Sequence, residues 1–420
     1  MTDPRRDAHR AIEAVARHSY GRLVAYLASR THDVAGAEDA LGDALVAALT
    51  KWPSDGVPNS PEAWLLTTAR NRLIDRNRHH RVRERVRERV HNEDALELLS
   101  HGVEEPMQAD PFPDDRLKLL FVCAHPAIDP AMHTPLMLQA VLGLDAAAIA
   151  RAFVVAPTTM SQRLVRAKAK IRETGIAFEV PEADQLGERL EAVLNAVYAA
   201  FGSGWDAIPG IDSASVGLTD EAIWLARVLS ERLPDEPEVR GLLALMLYCD
   251  ARRAARRGSD GRFIPLSEQD PARWDSASIA EAERELVLAG AAYRPGRFQL
   301  EAAIQSAHAE RARTGVTDWS AIATLYEGLV RLAPTLGAQV GRAAAVAEVH
   351  GAAMALALLD DIDAQAASYQ PYWAVRAHLL QRLARIGEAE AAFDRAVHLA
   401  TDPAVRSFLQ RSRNARPHLG

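Results

Sequence analysis

Apolar residues in this chain recur every three to four positions over almost its whole length, the spacing of one buried helix face. No alternating, β-branched run bounded by turn residues stands out, so the pattern predicts an all-α protein. Residues 8–31 make the first amphipathic stretch, through Ile12, Val15, Ala16, Leu23, Val24 and Leu27. A second opens at Asp33, with Leu41, Leu45, Val46 and Leu49 turned inward and acids outward. Lys51–Pro61, rich in Pro, Gly, Ser and Asn, predicts a loop. Pro61 and Glu62 then start a third helix, the acid at the positive end of the helix dipole. Its buried stripe runs through Trp64, Leu65, Ala69, Leu73 and Ile74.

The remaining faces of that third helix are basic. Arg70, Asn71, Arg72, Arg76 and Arg78 lie there, and arginine recurs at every second residue from Arg81 to Arg89. From Arg70 to Arg89 nine arginines face only Asp75, Glu84 and Glu88. A guanidinium pairs bidentately with phosphate, so a helix of this kind suits a nucleic-acid backbone, although a charge run alone also fits a plain solvated face. Asn92 to Asp115 reverses the sign, with eight acids, no Lys or Arg, and prolines at 106, 111 and 113, the composition of an extended spacer. After it, residues 116–178 carry a helix-turn-helix pattern. Leu138, Val141 and Leu142 pack one helix, Gly143 ends it, and Asp145 caps the next, Ala146 to Phe153. Val154–Ala156 makes the turn, and Pro157 begins the helix PTTMSQRLVRAKAKIRE, which buries Met160, Leu164 and Ile171.

Composition agrees with an all-helical chain of several domains: 420 residues, 48% hydrophobic, only 6% aromatic. A net charge of −7 argues against a DNA binder until it is divided. Residues 1–180 hold 24 Lys+Arg and 24 Asp+Glu, so the deficit, 25 against 32, belongs to the rest. Local stripes decide nucleic-acid contact, not the sum. The two cysteines, Cys123 and Cys249, offer no disulfide framework, which fits a reducing cytoplasm. The N-terminus has no apolar core of a signal peptide, and no apolar run approaches the ~18 residues needed to cross a bilayer.

The segment Trp64-Leu65-Leu66-Thr67-Thr68-Ala69-Arg70-Asn71-Arg72-Leu73-Ile74-Asp75 resembles the helix of bacterial sigma factors that melts and reads the −10 promoter element, most closely in the compact extracytoplasmic-function (ECF) group. Arg-Leu-Val-Arg-Ala-Lys after the turn at 154–156 is similar to the −35-binding helix of the same group, in the right order and at the right distance. The resemblance implies two small helical sigma domains, 8–91 and 116–178, joined by the acidic linker 92–115, which threads the basic RNA channel of the polymerase. Glu38, Asp39 and Asp43 then face the coiled coil of the largest polymerase subunit. Asn59 and Ser60, with Asn71, hold a base flipped from the non-template strand, since an unstacked base exposes edges that a duplex hides. Arg70, Arg72, Arg76 and Arg78 serve −10 binding and melting. On the recognition helix Ser161, Gln162 and Val165 read base edges, while Thr158, Thr159, Arg163, Arg166 and Lys168 hold the backbone.

Residues 185–420 exceed an ordinary ECF factor. Ten further helices are predicted there, among them Leu186–Phe201, Thr219–Arg232, Pro237–Arg256, Gln299–Thr314, Pro371–Arg385 and Glu388–Ala400. The last pair, with Ala389, Phe393 and Ala396, resembles a tetratricopeptide (TPR) hairpin, and stacked hairpins offer a concave groove for a protein partner. Segments around Leu266–Trp274, Gly296–Ile304 and Thr317–Trp319 are similar to the extension of one ECF subgroup, which implies regulation or support of activity in cis. No phosphate loop, zinc-protease motif or nucleophile elbow is present, so no enzyme is expected. Cys123, His125 and His133 lack four-ligand spacing, and the acids Asp360, Asp361 and Asp363 suit a solvated helix end; no metal or cofactor is expected. Core RNA polymerase and promoter DNA are the expected partners. The rival reading is a stand-alone helix-turn-helix regulator whose repeat region binds a ligand or partner.

Overall fold

The computed structural model describes residues 4–84, 114–153, 155–205 and 217–414. Helices carry the regular structure. The extended pairing among the described residues is one isolated antiparallel bridge between Arg257 and Phe263. The chain divides into two compact units, Met1–Leu225 and Ala226–Gly420.

The first unit begins with α1 (Pro4–His18), α2 (Tyr20–Thr31), α3 (Val34–Asp55) and α4 (Pro61–Glu84). The stretch expected as one helix over 8–31 is two, broken at Ser19, whose hydroxyl bonds the Glu62 carboxylate of α4. Arg22 reaches the same carboxylate at 2.6 Å, so two groups of α2 pin the entry of α4. Asp33 caps α3 by accepting from the Gly36 amide at 3.0 Å. α3 then runs on through Pro53, in its last turn, and shortens the expected loop to residues 56–60. Leu23, Leu27, Leu41, Trp52, Leu65 and Ala69 fill the core among α2, α3 and α4. Val46 and Leu49 correct the sequence reading: they point outward, 63% and 42% exposed.

Next come α5 (Arg116–Cys123), α6 (Pro130–Ala140), α7 (Ala146–Ala152) and α8 (Pro157–Thr174). The punctuation of the helix-turn-helix is where the sequence put it. Gly143 takes φ +70 after α6, Asp145 accepts from the Ala148 amide at 2.6 Å, and Pro157 opens α8. These helices pack directly on the first four: α2 lies against α5 and α6, and α8 against α3. Gly21 is the closest approach, where any Cβ would fall on the backbone carbonyl of Val141.

The unit does not end with the helix-turn-helix. α9 (Ala183–Trp205) packs on α5 and α6 through Leu186, Leu190, Val193, Leu194 and Val197. Its Arg189, also buried, donates to the Phe121 carbonyl at 2.7 Å. The first turns of α10 (Leu218–Arg232) belong to the same unit.

The second unit is built from helical pairs. α11 (Pro237–Asp250) is buried nearly all round and packs between α12 (Ser276–Gly290) and α13 (Arg297–Ala309). Glu238 of α11 caps α13, accepting from the amides of Phe298 and Gln299 at 2.9 and 3.1 Å. The helix expected over 237–256 stops at Asp250; an irregular segment with three short 3-10 turns follows, held partly by Arg311, which donates to the carbonyls of Leu266, Ser267 and Gln269. Then come α14 (Trp319–Leu332), α15 (Leu336–His350), α16 (Ala352–Asp360), α17 (Gln370–Arg382), α18 (Ile386–Leu399) and α19 (Pro403–Asn414), each packed on the next or next but one. Leu379, Leu380, Ala389, Phe393 and Ala396 share one core across α17 and α18. Asp360 and Asp363 are tied within this unit, to Arg376 at 2.5 Å and the Tyr372 hydroxyl at 2.7 Å.

Candidate nucleic-acid interface

Three helices carry the expected site residues. On α4, Leu65, Leu66, Ala69 and Leu73 are buried while Asn71 and Arg72 are exposed and Arg70 is half-buried, so the polar face turns outward as the periodicity demands. Arg76 and Arg78 ride the same helix, with side chains outside the described part of the structure, as is the basic run beyond Glu84. Asn59 and Ser60 are exposed at the entry to α4, where the Ser60 carbonyl accepts the Trp64 amide at 3.1 Å. Asn71 does not join them. It lies about ten residues further along the helix, a rise of roughly 15 Å, so the loop and Asn71 do not line one base pocket. Trp64, expected to be mostly buried, is half-exposed and meets the buried Trp52 edge-on at 5.5 Å.

On α8 the buried side holds Met160, Leu164 and Ile171. Thr158, Ser161, Gln162, Arg163, Val165, Arg166 and Lys170 are exposed and Thr159 is half-buried, with Val165 at 61%. Thr158, Ser161, Gln162 and Val165 recur at three- and four-residue spacing, so they form one exposed face with Arg163 and Arg166 at its edges.

Lys168 departs from the expectation of a free phosphate contact. Its side chain is 10% exposed and forms an ion pair with Glu38 of α3, itself 13% exposed, and a hydrogen bond with Gln139 of α6 at 2.9 Å. Two residues expected to face different partners, DNA and the polymerase, face each other. Burial raises the Glu38 carboxyl above its ordinary range and Asp39 and Asp33 push the same way, against the opposing pull of Lys168. Spacing could have revealed Lys168: it falls four residues after Leu164 and eight after Met160, on the buried stripe. Asp39 and Asp43 are exposed, and with the outward Val46 they make an acidic stripe with an apolar end along α3.

A second cluster escaped sequence reasoning. Asp115 and Arg116, at the mouth of α5, are both buried. Asp115 accepts from Ser29 of α2 at 2.8 Å and pairs with Lys118 at 2.9 Å and Arg30 at 3.4 Å. Burial alone would raise its pKa, but those bonds and charges outweigh it and lower the carboxyl. Arg116 turns the other way, pairing with Asp114 at 2.6 Å and with Glu221 of α10, its guanidinium 4.1 Å over the Trp224 ring. The end of the acidic linker is thus tied to α2 on one side and to α10 on the other. The rest of the linker, 92–113, lies outside the described residues. Cys123 is fully buried in α5, where desolvation raises its thiol pKa, and His133 bonds the Ile128 carbonyl at 3.1 Å.

Comparison with known proteins fits this geometry. Residues 15–83, spanning α2 to α4, match sigma-70 region 2, and residues 189–290 match a family of unknown function, DUF6596. An uncharacterised protein of Rhizobium meliloti (strain 1021) is 37% identical over 404 residues, covering 95% of this chain and 93% of the relative. No solved structure gives a significant match. The region 2 match, on a helical unit with an arginine-bearing α4, supports a protein of the sigma-70 class, whose members act with RNA polymerase at promoters. Within that class the chain belongs to the family of the full-length Rhizobium relative.

Proposed function

We propose that this chain is an ECF-type sigma factor, cytoplasmic, which binds core RNA polymerase, recognises −10 and −35 elements with separate helices, and carries its own helical C-terminal regulator. The observation that carries the reading is the coexistence of a region 2 domain with a second helix whose exposed face is Thr158, Ser161, Gln162 and Val165. In this reading α4 contributes Arg70, Asn71, Arg72, Arg76 and Arg78 to the −10 strand, and Asn59 with Ser60 receives an unstacked base. The stripe Asp39–Asp43–Val46 suits a basic helical partner with an apolar strip, the character of a polymerase coiled coil. Such a protein makes no covalent bond; its work is binding and strand separation. The paired helices α17 and α18, with one shared core, support a TPR-like extension that holds a protein partner. The burial of α9 and the contact of the buried Arg116 with Glu221 and Trp224 support an extension that acts in cis.

The test is run-off transcription with purified core polymerase and the full chain on a library of promoter fragments. Discrete transcripts that depend on the chain establish a sigma factor. Duplex binding by the chain alone, with no transcript and no capture by core polymerase, moves the assignment to a stand-alone helix-turn-helix regulator.

A further inference from the structure

We infer that the polar cluster enclosed by α11, α13 and the irregular segment 251–275 is a binding site for a small hydroxycarboxylate, an anion with a neutral hydroxyl beside its carboxylate. The cluster lies within the second unit and stands apart from the promoter reading.

Arg252, just past α11, is the centre of the cluster and is buried. Its Nη2 donates to Gln305 Oε1 of α13 at 2.5 Å and lies 3.8 Å from Cys249 Sγ, both neutral groups. Among the described residues no carboxylate pairs with Arg252 or with Arg311. Acids on the surrounding elements are taken: Asp250 by Arg253, Glu301 by Arg297 and Glu310 by Arg313. Arg311, just past α13, donates to three carbonyls of the segment, and its guanidinium lies 5.2 Å from the centre of the Trp274 ring. Burial and then the charge of Arg252 lower the pKa of Arg311, while burial, Arg252 and Arg311 lower that of His308. The three groups therefore share one positive field. A buried guanidinium without a counter-ion is costly, and a carboxylate matches its planar fork.

Two orphaned atoms define the rest of the ligand. Trp274 Nε1 and Gln269 Oε1 are buried with no hydrogen-bond partner, on side chains of residues only 6% and 7% exposed. An indole N–H can only donate, so it suits a carboxylate oxygen. Gln269 Nε2 donates to the Ile264 carbonyl at 3.2 Å, which leaves the amide oxygen in need of a donor. A hydroxyl meets that need. An ammonium does not, because it would stand in the field of two guanidiniums. Gln269 and Trp274 sit among short 3-10 turns, which can shift for a few atoms without breaking a helix. The cluster meets solvent at Arg311 and His308, both half-buried.

The experiment is calorimetric titration of the full chain at fixed ionic strength, with glycolate, acetate, glycine and inorganic phosphate as probes. Glycolate is expected to bind saturably. Acetate, which lacks the hydroxyl, and glycine, which replaces it with an ammonium, should bind about tenfold more weakly or worse. Trp274→Phe keeps the ring against Arg311 and removes the N–H, and it should weaken glycolate by about tenfold. Arg252→Gln should abolish binding. If that variant no longer melts cooperatively, Trp274→Phe decides. No saturable heat with glycolate overturns the site, since water then suffices for the orphaned atoms. Wild-type affinity in Trp274→Phe or in a folded Arg252→Gln overturns it as well. Equal affinity for all four probes marks a general ionic effect and also sinks the proposal, and phosphate bound more tightly than glycolate overturns the hydroxycarboxylate class.

Discussion

The side chains of α8 divide by what each can distinguish. Gln162 is exposed on the reading face, and an amide can hydrogen-bond a base edge in two directions. Arg166 sits at the edge of that face, its Nε 3.4 Å from the Gln162 carbonyl, with the rest of the guanidinium exposed. Gln162→Ala is expected to change the preferred −35 sequence by about 1–3 kcal/mol at one base pair. Arg166→Ala should weaken every sequence alike and flatten the salt slope by about one, which a selection from a randomised −35 pool would separate. Equal, sequence-independent losses from both would remove Gln162 from base reading. In the second unit His308 gives a pH prediction. Burial, and the nearby Arg252 and Arg311, lower its pKa from 6.5 to about 4. Above about pH 6.5 neither folded nor unfolded imidazole carries the proton. Between about 6.5 and 4 the unfolded chain binds it and the folded chain does not, so stability falls as pH falls, by about 1.4 kcal/mol per unit and about 3 kcal/mol in all. Urea unfolding of the full chain should follow this fall from pH 7 to pH 4.5, and His308→Gln should flatten it.

At the scale of the element, the periodicity and punctuation were legible while the partners were not. Gly143, Asp145 and Pro157 bound the helix-turn-helix because their backbone chemistry is local: a left-handed φ, a short acceptor side chain, a missing N–H. The break at Ser19 was not legible, since its cause is a carboxylate 43 residues away on α4. Val46, Leu49 and Lys168 were misassigned for one reason. Which side of a helix is buried depends on what packs against it, and α3 shares its face with α8 from beyond the linker. α9 begins just beyond the boundary expected near 178–185 and packs back onto the first unit. α9 buries Leu186, Leu190, Val193, Leu194, Val197 and Phe201, largely on α5 and α6. At about 1.5–3 kcal/mol for each large apolar side chain, removing them costs on the order of 10 kcal/mol, as much as a whole domain commonly has. A chain cut after Gly175 is therefore expected to aggregate or to melt without a cooperative transition. A chain cut after Arg232, which keeps α9 and α10 intact, should remain soluble and melt cooperatively, as circular dichroism would register. A stable, cooperative fragment ending at Gly175 would make α9 an appendage to the helix-turn-helix.

At the scale of the molecule, charge is divided by task, and the division can be tested as such. The chain is acidic overall, yet α4 exposes Arg72 and α8 exposes Arg163, Arg166 and Arg172, while α3 exposes Asp39 and Asp43. An acidic stripe repels duplex DNA, and Asp39 and Asp43 beside an outward Val46 suit the basic, partly apolar partner of the proposed reading. In the proposed reading, DNA binding and polymerase binding reside on faces of opposite sign and are expected to be separable. Asp39→Lys with Asp43→Lys places like charge against a basic partner, a repulsion worth several kcal/mol at a desolvated contact. Capture of core polymerase should fall at least a hundredfold, and run-off transcription should fall with it. Neither residue lies on α4 or α8, so affinity for a random duplex should hold or rise slightly as negative charge is lost. Only the pair of readouts separates the cases. Loss of polymerase with DNA binding retained supports a factor that reaches its promoter by way of the enzyme. Loss of both would mean that the acids hold the fold of the first unit, and capture undiminished by the reversal would exclude α3 as the docking face.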